Sequence, residues 1–191
     1  MRKHLALAAA LAASAALHAQ DTGGPVFGFK SSVVFPTSLD GGHLKNSVGS
    51  GWGLGAFLES HINAKNAARY SVEYIKFSEK EIEVAFASVR ADADILGFKT
   101  DWLHRAVSHR EGFYTLLGCG VSRASQEAWT RSSKVSLNTT GFELSAGVGV
   151  NFGLLGIEAK FTQSLWWTFK SGGESKAEDW GHFHIGATFR F

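Results

Sequence analysis

His184-Ile185-Gly186-Ala187-Thr188-Phe189-Arg190-Phe191, the last eight residues of the sequence, alternate at a period of two. Extended back to His182, the stretch puts Phe183, Ile185, Ala187, Phe189 and Phe191 on one face and His182, His184, Gly186, Thr188 and Arg190 on the other. Successive side chains of a strand point to opposite sides, so this is a β-strand with one apolar and one polar face. A soluble sandwich with one wet face has the same pattern, and the rest of the chain has to decide.

At the other end, Arg2 and Lys3 precede an apolar run from Leu5 to Leu17, closed by Leu17-His18-Ala19. This is the layout of a cleaved secretory signal peptide, expected over 1–19, with a single domain over 20–191. A membrane-spanning helix needs about 20 apolar residues, and this run is shorter and mostly alanine. Taking its two basic residues from the 19 Lys and Arg leaves 17, against 17 Asp and Glu. No basic excess remains for a nucleic-acid partner. The single cysteine, Cys119, cannot form an internal disulfide, so an exported chain of this kind needs another source of closure.

Working back from the terminal strand, seven earlier stretches alternate in the same way. Phe27, Phe29, Val33 and Phe35 oppose Gly28, Lys30 and Ser32; Trp52, Leu54, Ala56 and Leu58 oppose Gly53, Gly55, Phe57, Glu59 and His61. Tyr70, Val72 and Tyr74 oppose Arg69, Ser71 and Glu73, with a break expected at Ile75. The stretch from Ser78 to Leu103 is the least regular: Arg90, Asp92 and Asp94 share one face, then Leu96 and Phe98 occupy it while Lys99 and Asp101 take the other. A bulge that flips the parity near Asp94 is the simplest account. Phe113, Leu117, Cys119 and Val121 alternate with glycines; Phe142, Leu144, Ala146, Val148 and Val150 alternate with Glu143, Ser145, Gly147 and Gly149. The seventh stretch sets Leu155, Ile157, Ala159 and Phe161 against Glu158, Lys160 and Thr162.

Eight strands result, and their connections alternate between long and short. An even strand number with short turns on one side and long loops on the other describes an outer-membrane barrel. Eleven residues rising about 3.3 Å each and tilted near 45° cover roughly 25 Å, the height of a lipid-facing apolar band. The expected fold is all-β: an eight-stranded antiparallel up-and-down transmembrane β-barrel. Long loops are expected near 36–50, 78–88, 123–137 and 170–179. The alternatives, a soluble lipocalin-like barrel or a periplasmic sandwich, would turn the apolar face inward. Here the polar face mixes glycines with Lys30, Glu59, Arg69, Glu73, Asp94, Glu143, Glu158, Lys160, His182, His184 and Arg190, a composition suited to a narrow lumen filled by ion pairs.

On these strands the chain resembles the small eight-stranded outer-membrane β-barrels of the OmpX, OmpW and OmpA transmembrane-domain type. In that family a polar residue, a glycine and terminal hydrophobics form the signal read during assembly; His184, Gly186, Phe189 and Phe191 match it. The resemblance implies an outer-membrane location, surrounding lipid and lipopolysaccharide, and the barrel-assembly machinery and periplasmic chaperones as partners in biogenesis. It implies a monomer without cofactor.

Catalysis leaves little trace. Ser60-His61 and Ser108-His109 are adjacent pairs expected at the periplasmic end, away from an outer-leaflet substrate such as lipid A, and neighbours along a strand lie on opposite faces. His182 and His184 share a face and are expected in an interior hydrogen-bond network; a metal site there has no further Cys or His cluster behind it. The six tryptophans are expected mostly as a girdle at the edges of the apolar band. The functional expectation is a non-enzymatic barrel with a mostly sealed polar lumen and a structural, adhesive or surface-interaction role. A narrow porin-like channel for small or hydrophobic solutes is the alternative, and a lipid A-modifying enzyme a more distant one.

Overall fold

The structure, a computed structural model, describes residues 24–37, 48–84, 87–106, 111–130, 133–169 and 175–191. The expected signal segment and the Ser108-His109 pair lie outside these residues. Eight strands run β1(Val26–Thr37), β2(Gly51–His61), β3(Asn66–Val84), β4(Ala87–Arg105), β5(Gly112–Trp129), β6(Lys134–Phe152), β7(Leu155–Phe169) and β8(Ser175–Arg190). Each pairs antiparallel with the next, and β8 returns to β1 to close the barrel. The seam runs from Gly28 opposite Arg190 to Thr37 opposite Gly181. Closure leaves no free edge in the body of the sheet, which answers the lack of a disulfide.

Period two holds around the wall apart from one bulge in β3. Phe27, Phe29, Leu54, Val72, Leu96, Leu117, Leu144, Ile157 and Ile185 are exposed on the outside, while Lys30, Glu59, Arg69, Lys99, Glu143, Lys160 and His184 are buried inside. The fold is thus inverted relative to a soluble barrel, with its large apolar side chains outward. Aromatic groups mark the belt's edges. Trp52 and Tyr74 meet edge-on at 5.8 Å between rings at one end, and Phe29, Phe189 and Phe191 cluster toward the other.

Three local expectations change. Ile75 does not break the alternation: Ile75 and Phe77 both remain inside and fully buried. The bulge lies in β3, where Phe77 faces Ala93 but Lys80 faces Ala91, so Ser78 and Glu79 oppose Asp92 alone. β4 itself keeps one parity from Ala91 to Arg105. The apparent flip at Asp94 is a change of environment: above the belt the outer face is wet and tolerates aspartate, while the lumen there is apolar. Finally, β3 to β6 are 18 or 19 residues long, so most of the segments expected as loops near 78–88 and 123–137 are strand. They form a four-strand wall rising beyond the rest of the barrel.

Glycines on the inner face make room for long inward side chains. A Cβ at Gly149 would fall inside the Tyr114 ring, one at Gly28 inside the Phe57 ring, and one at Gly120 within 2.9 Å of Lys99 Cγ.

Candidate functional site

The lumen is the site to which the sequence points, and it is layered. Nearest the end that carries the carboxy-terminus, Glu59 on β2 gathers three guanidinium groups. Its Oε2 accepts Arg69 Nη2 at 3.3 Å and Arg190 Nη2 at 3.2 Å, and its Oε1 accepts Arg105 Nη2. Arg69 also donates to Glu158, which takes the Tyr114 hydroxyl at 2.9 Å. The Arg69 guanidinium stacks 4.8 Å from the Phe57 ring centroid, a cation–π contact shielded from water. Arg105 Nη1 lies 3.0 Å from His61 Nδ1.

In the next layer Glu73 occupies the centre. Its carboxylate lies 3.3 Å from Lys30 Nζ, 3.2 Å from Lys99 Nζ, 3.6 Å from Lys160 Nζ and 3.6 Å from His184 Nδ1. Lys99 bridges on to Glu143 at 2.9 Å, and Glu143 accepts the Ser164 hydroxyl at 3.1 Å. The Ser145 hydroxyl donates to Asp101 at 3.1 Å. Buried charges persist only when paired; in these two layers every charged side chain but Asp101 has one of opposite sign within 3.6 Å, and Asp101 is held by the Ser145 hydroxyl.

An apolar cap closes the far end. Val34, Val48, Ile75, Phe77, Ala93, Ile95, Ala124 and Trp180 pack as one buried cluster. His182 stands at the junction, with its ring 6.3 Å from Phe77 and 4.6 Å from His184. Among the described residues, a lumen cavity between Lys30, Glu73, Glu158, Lys160 and His184 has a volume of about 10 Å³, at the lower limit for a single water molecule.

Of the expected network, Lys30, Glu59, Arg69, Glu73, Glu143, Glu158, Lys160, His184 and Arg190 meet in these contacts, and His182 lies beside them. Asp94 does not. It lies part-exposed on the outer wall, opposite Lys76 in register, because β4 directs its odd-numbered residues inward. Trp180 also departs from expectation: it is an inward cap residue, not part of a girdle. The side chains of Trp166 and Trp167 lie outside the described residues. Lys99, Asp101, Arg105 and Tyr114 belong to the network and were not expected there. Counting the parity of β4 upward from Arg105 instead of downward from Arg90 would have found the first three. Among the described residues no group of three or more His, Cys, Asp or Glu could hold a metal ion.

Gly186, Phe189 and Phe191 sit at the seam, with Gly186 opposite Ser32 and Phe189 opposite Phe29. The Phe191 amide donates to the Phe27 carbonyl at 2.8 Å.

A closed antiparallel eight-stranded barrel, apolar outside and filled with paired charges inside, belongs to the class of small membrane-type up-and-down barrels. No protein-family model matches the chain, and no curated protein matches it. Solved structures do. Neisserial surface protein A aligns over 87% of this chain and 97% of its own, at TM-score 0.53 and 14% identity. A major outer membrane protein of Thermus thermophilus covers 87% and 99% at TM-score 0.53 and 11% identity. Ail, the attachment invasion locus protein of Yersinia pestis, covers 87% and 96% at TM-score 0.50 and 18% identity. The chain has the fold of the small eight-stranded outer-membrane β-barrels.

Proposed function

We propose that this chain is an integral outer-membrane barrel with a sealed lumen, acting through its exposed surfaces in a structural, adhesive or surface-interaction role. The carrying observation is the filled interior: two layers of ion pairs under an apolar cap, with about 10 Å³ of cavity among them. A conducting pore needs a continuous wet path, and an eight-stranded barrel is just wide enough for its side chains to fill. The apolar outer belt supports membrane insertion, since only a closed sheet satisfies its backbone in hydrocarbon. Two structural neighbours, Neisserial surface protein A and the attachment invasion locus protein Ail, support the surface role.

On this reading both termini are periplasmic and the tall β3–β6 wall stands outside the cell. Lipid and lipopolysaccharide surround the barrel, the terminal strand with Gly186, Phe189 and Phe191 is what the assembly machinery reads, and the protein is a monomer and not an enzyme.

Purified protein in planar bilayers tests the central statement. No steady single-channel conductance is expected, and a reproducible conductance step would replace the sealed lumen with a narrow channel. Outer-membrane fractions should contain a band whose gel migration changes on heating. Lipid A from expressing cells should have an unchanged mass spectrum; an altered one would make the chain an enzyme.

A further inference from the structure

Trp129 has no place in the apolar belt. It lies on β5, eight residues beyond Val121, which is itself exposed in the belt. In register Glu81 faces Arg90, Arg90 faces Trp129 and Trp129 faces Lys134, so these four side chains form one row across the outer face of the tall wall. Arg90 is six residues past Leu96; at a rise of about 3.3 Å and a tilt near 40° the row stands roughly 15 Å above the belt.

A surface cavity of about 320 Å³ opens there, lined by Glu81, Ser88, Arg90, Trp129 and Thr130. Its polar ends are held in place but open to solvent. The Ser88 hydroxyl donates to Glu81, and Arg90 Nε lies 3.5 Å from Glu79 and 3.7 Å from Glu81, with all three of these charged side chains about half exposed. The Trp129 indole is only partly covered.

We propose that this cavity binds a neutral pyranoside. An indole face carries partial negative charge and accepts the polarised C–H face of a sugar ring. Glu81 accepts from ring hydroxyls, the Arg90 guanidinium donates to them, and the Ser88 oxygen, whose proton goes to Glu81, accepts from them. Glu79 and Glu81 outweigh Arg90 in charge, which disfavours an acidic sugar. The inference rests on the extracellular placement of the wall, where such sugars are met as the lipopolysaccharide of the same leaflet or as free or host glycans.

The test uses the intact barrel in detergent micelles with ¹⁵N-labelled indoles, titrated with methyl glucoside, galactoside and mannoside. The Trp129 signal, assigned from Trp129→Phe, is expected to shift with a roughly millimolar Kd for at least one of them, the range open to a ligand this small. Arg90→Ala should weaken binding about tenfold or more, read on the same Trp129 signal, and a methyl glucuronide should bind more weakly than the glucoside. A Trp129 signal unmoved by all three glycosides, in protein that still shows heat-modifiable migration, overturns the proposal. Purified lipopolysaccharide that competes with the glycoside identifies the membrane's own sugar as the source; binding of the free glycoside alone identifies a soluble or host glycan. Placement is read separately, by labelling Ser133→Cys on intact cells in a Cys119→Ala background. A site that binds sugar in micelles but stays unlabelled on cells sinks the extracellular reading and leaves the binding site standing.

Discussion

Glu59 on β2 and Arg69 on β3 are direct cross-strand partners inside the barrel, with Glu59 Oε2 3.3 Å from Arg69 Nη2. The same carboxylate also holds Arg105 from β4 and Arg190 from β8. One acidic group therefore ties four strands together, including the one that closes the barrel. Removing one partner of a buried ion pair leaves an uncompensated charge and costs about 3–5 kcal/mol. Glu59→Gln should lower the free energy of unfolding from lipid vesicles, read from urea titration, by an amount in that range. Breaking the part-exposed Lys76–Asp92 pair, 3.0 Å apart on the outer wall, with Asp92→Asn should cost less than about 1 kcal/mol. Equal effects would mean that water reaches the lumen freely.

The Gly149–Tyr114 relationship makes a second prediction. Tyr114 lies over Gly149 and donates to Glu158 at 2.9 Å. Gly149→Ala puts a methyl group where the ring stands, forcing the ring off its rotamer and away from Glu158. Overpacking of this kind costs about 1–3 kcal/mol. Tyr114→Phe keeps the ring and removes only the hydrogen bond, about 1 kcal/mol. Unfolding midpoints should rank wild type, Tyr114→Phe, Gly149→Ala, and the reverse order of the two variants would show that the ring has room to move.

The barrel was legible in the sequence because its physics is written at period two: each strand carries large apolar groups on one side and glycine or charge on the other. The same rule misled at β4. Inward residues there change from Ala91, Ala93 and Ile95 to Lys99 and Asp101, while outward ones change from Asp92 and Asp94 to Leu96 and Phe98. Both faces swap polarity where the strand enters the belt, and a local pattern cannot separate that from a swap of direction. Trp180 was misplaced for the same reason, since a tryptophan near a strand end fits either a girdle or a lumen cap. Glu59, Arg69 and Arg190 were legible as lumen residues, but their convergence with Arg105 on one carboxylate was not, because it depends on the register that brings β4 and β8 to β2 and β3.

The cap supplies a third prediction. Phe77 is fully buried and packs in one cluster with Ile75, Ile95 and Trp180. Phe77→Ala removes the largest fully buried apolar side chain of that layer and should destabilise by about 3–5 kcal/mol, the cost of an aromatic-to-alanine cavity. The ion pairs around Glu73 remain beneath it, so bilayers holding the variant should still show no steady conductance. A conductance step in Phe77→Ala would make the cap, and not the charged layers, the seal.

Position along a single strand tests the membrane itself. Val148 and Ser136 both lie on β6 and share the outward parity, but Val148 sits within the belt, 56% exposed between Leu144 and Phe152, while Ser136 lies on the tall wall twelve residues before it. An arginine on the lipid face costs about 2–4 kcal/mol near the bilayer midplane and about 0–1 near the interface. Val148→Arg should therefore reduce folding efficiency into vesicles and lower the urea midpoint, while Ser136→Arg should match wild type. The two substitutions place the same charged side chain on the same face, so a difference between them reports depth in hydrocarbon. In detergent-free water both sites would be solvated alike, and equal behaviour of the two variants in vesicles would show that the apolar belt does not face lipid.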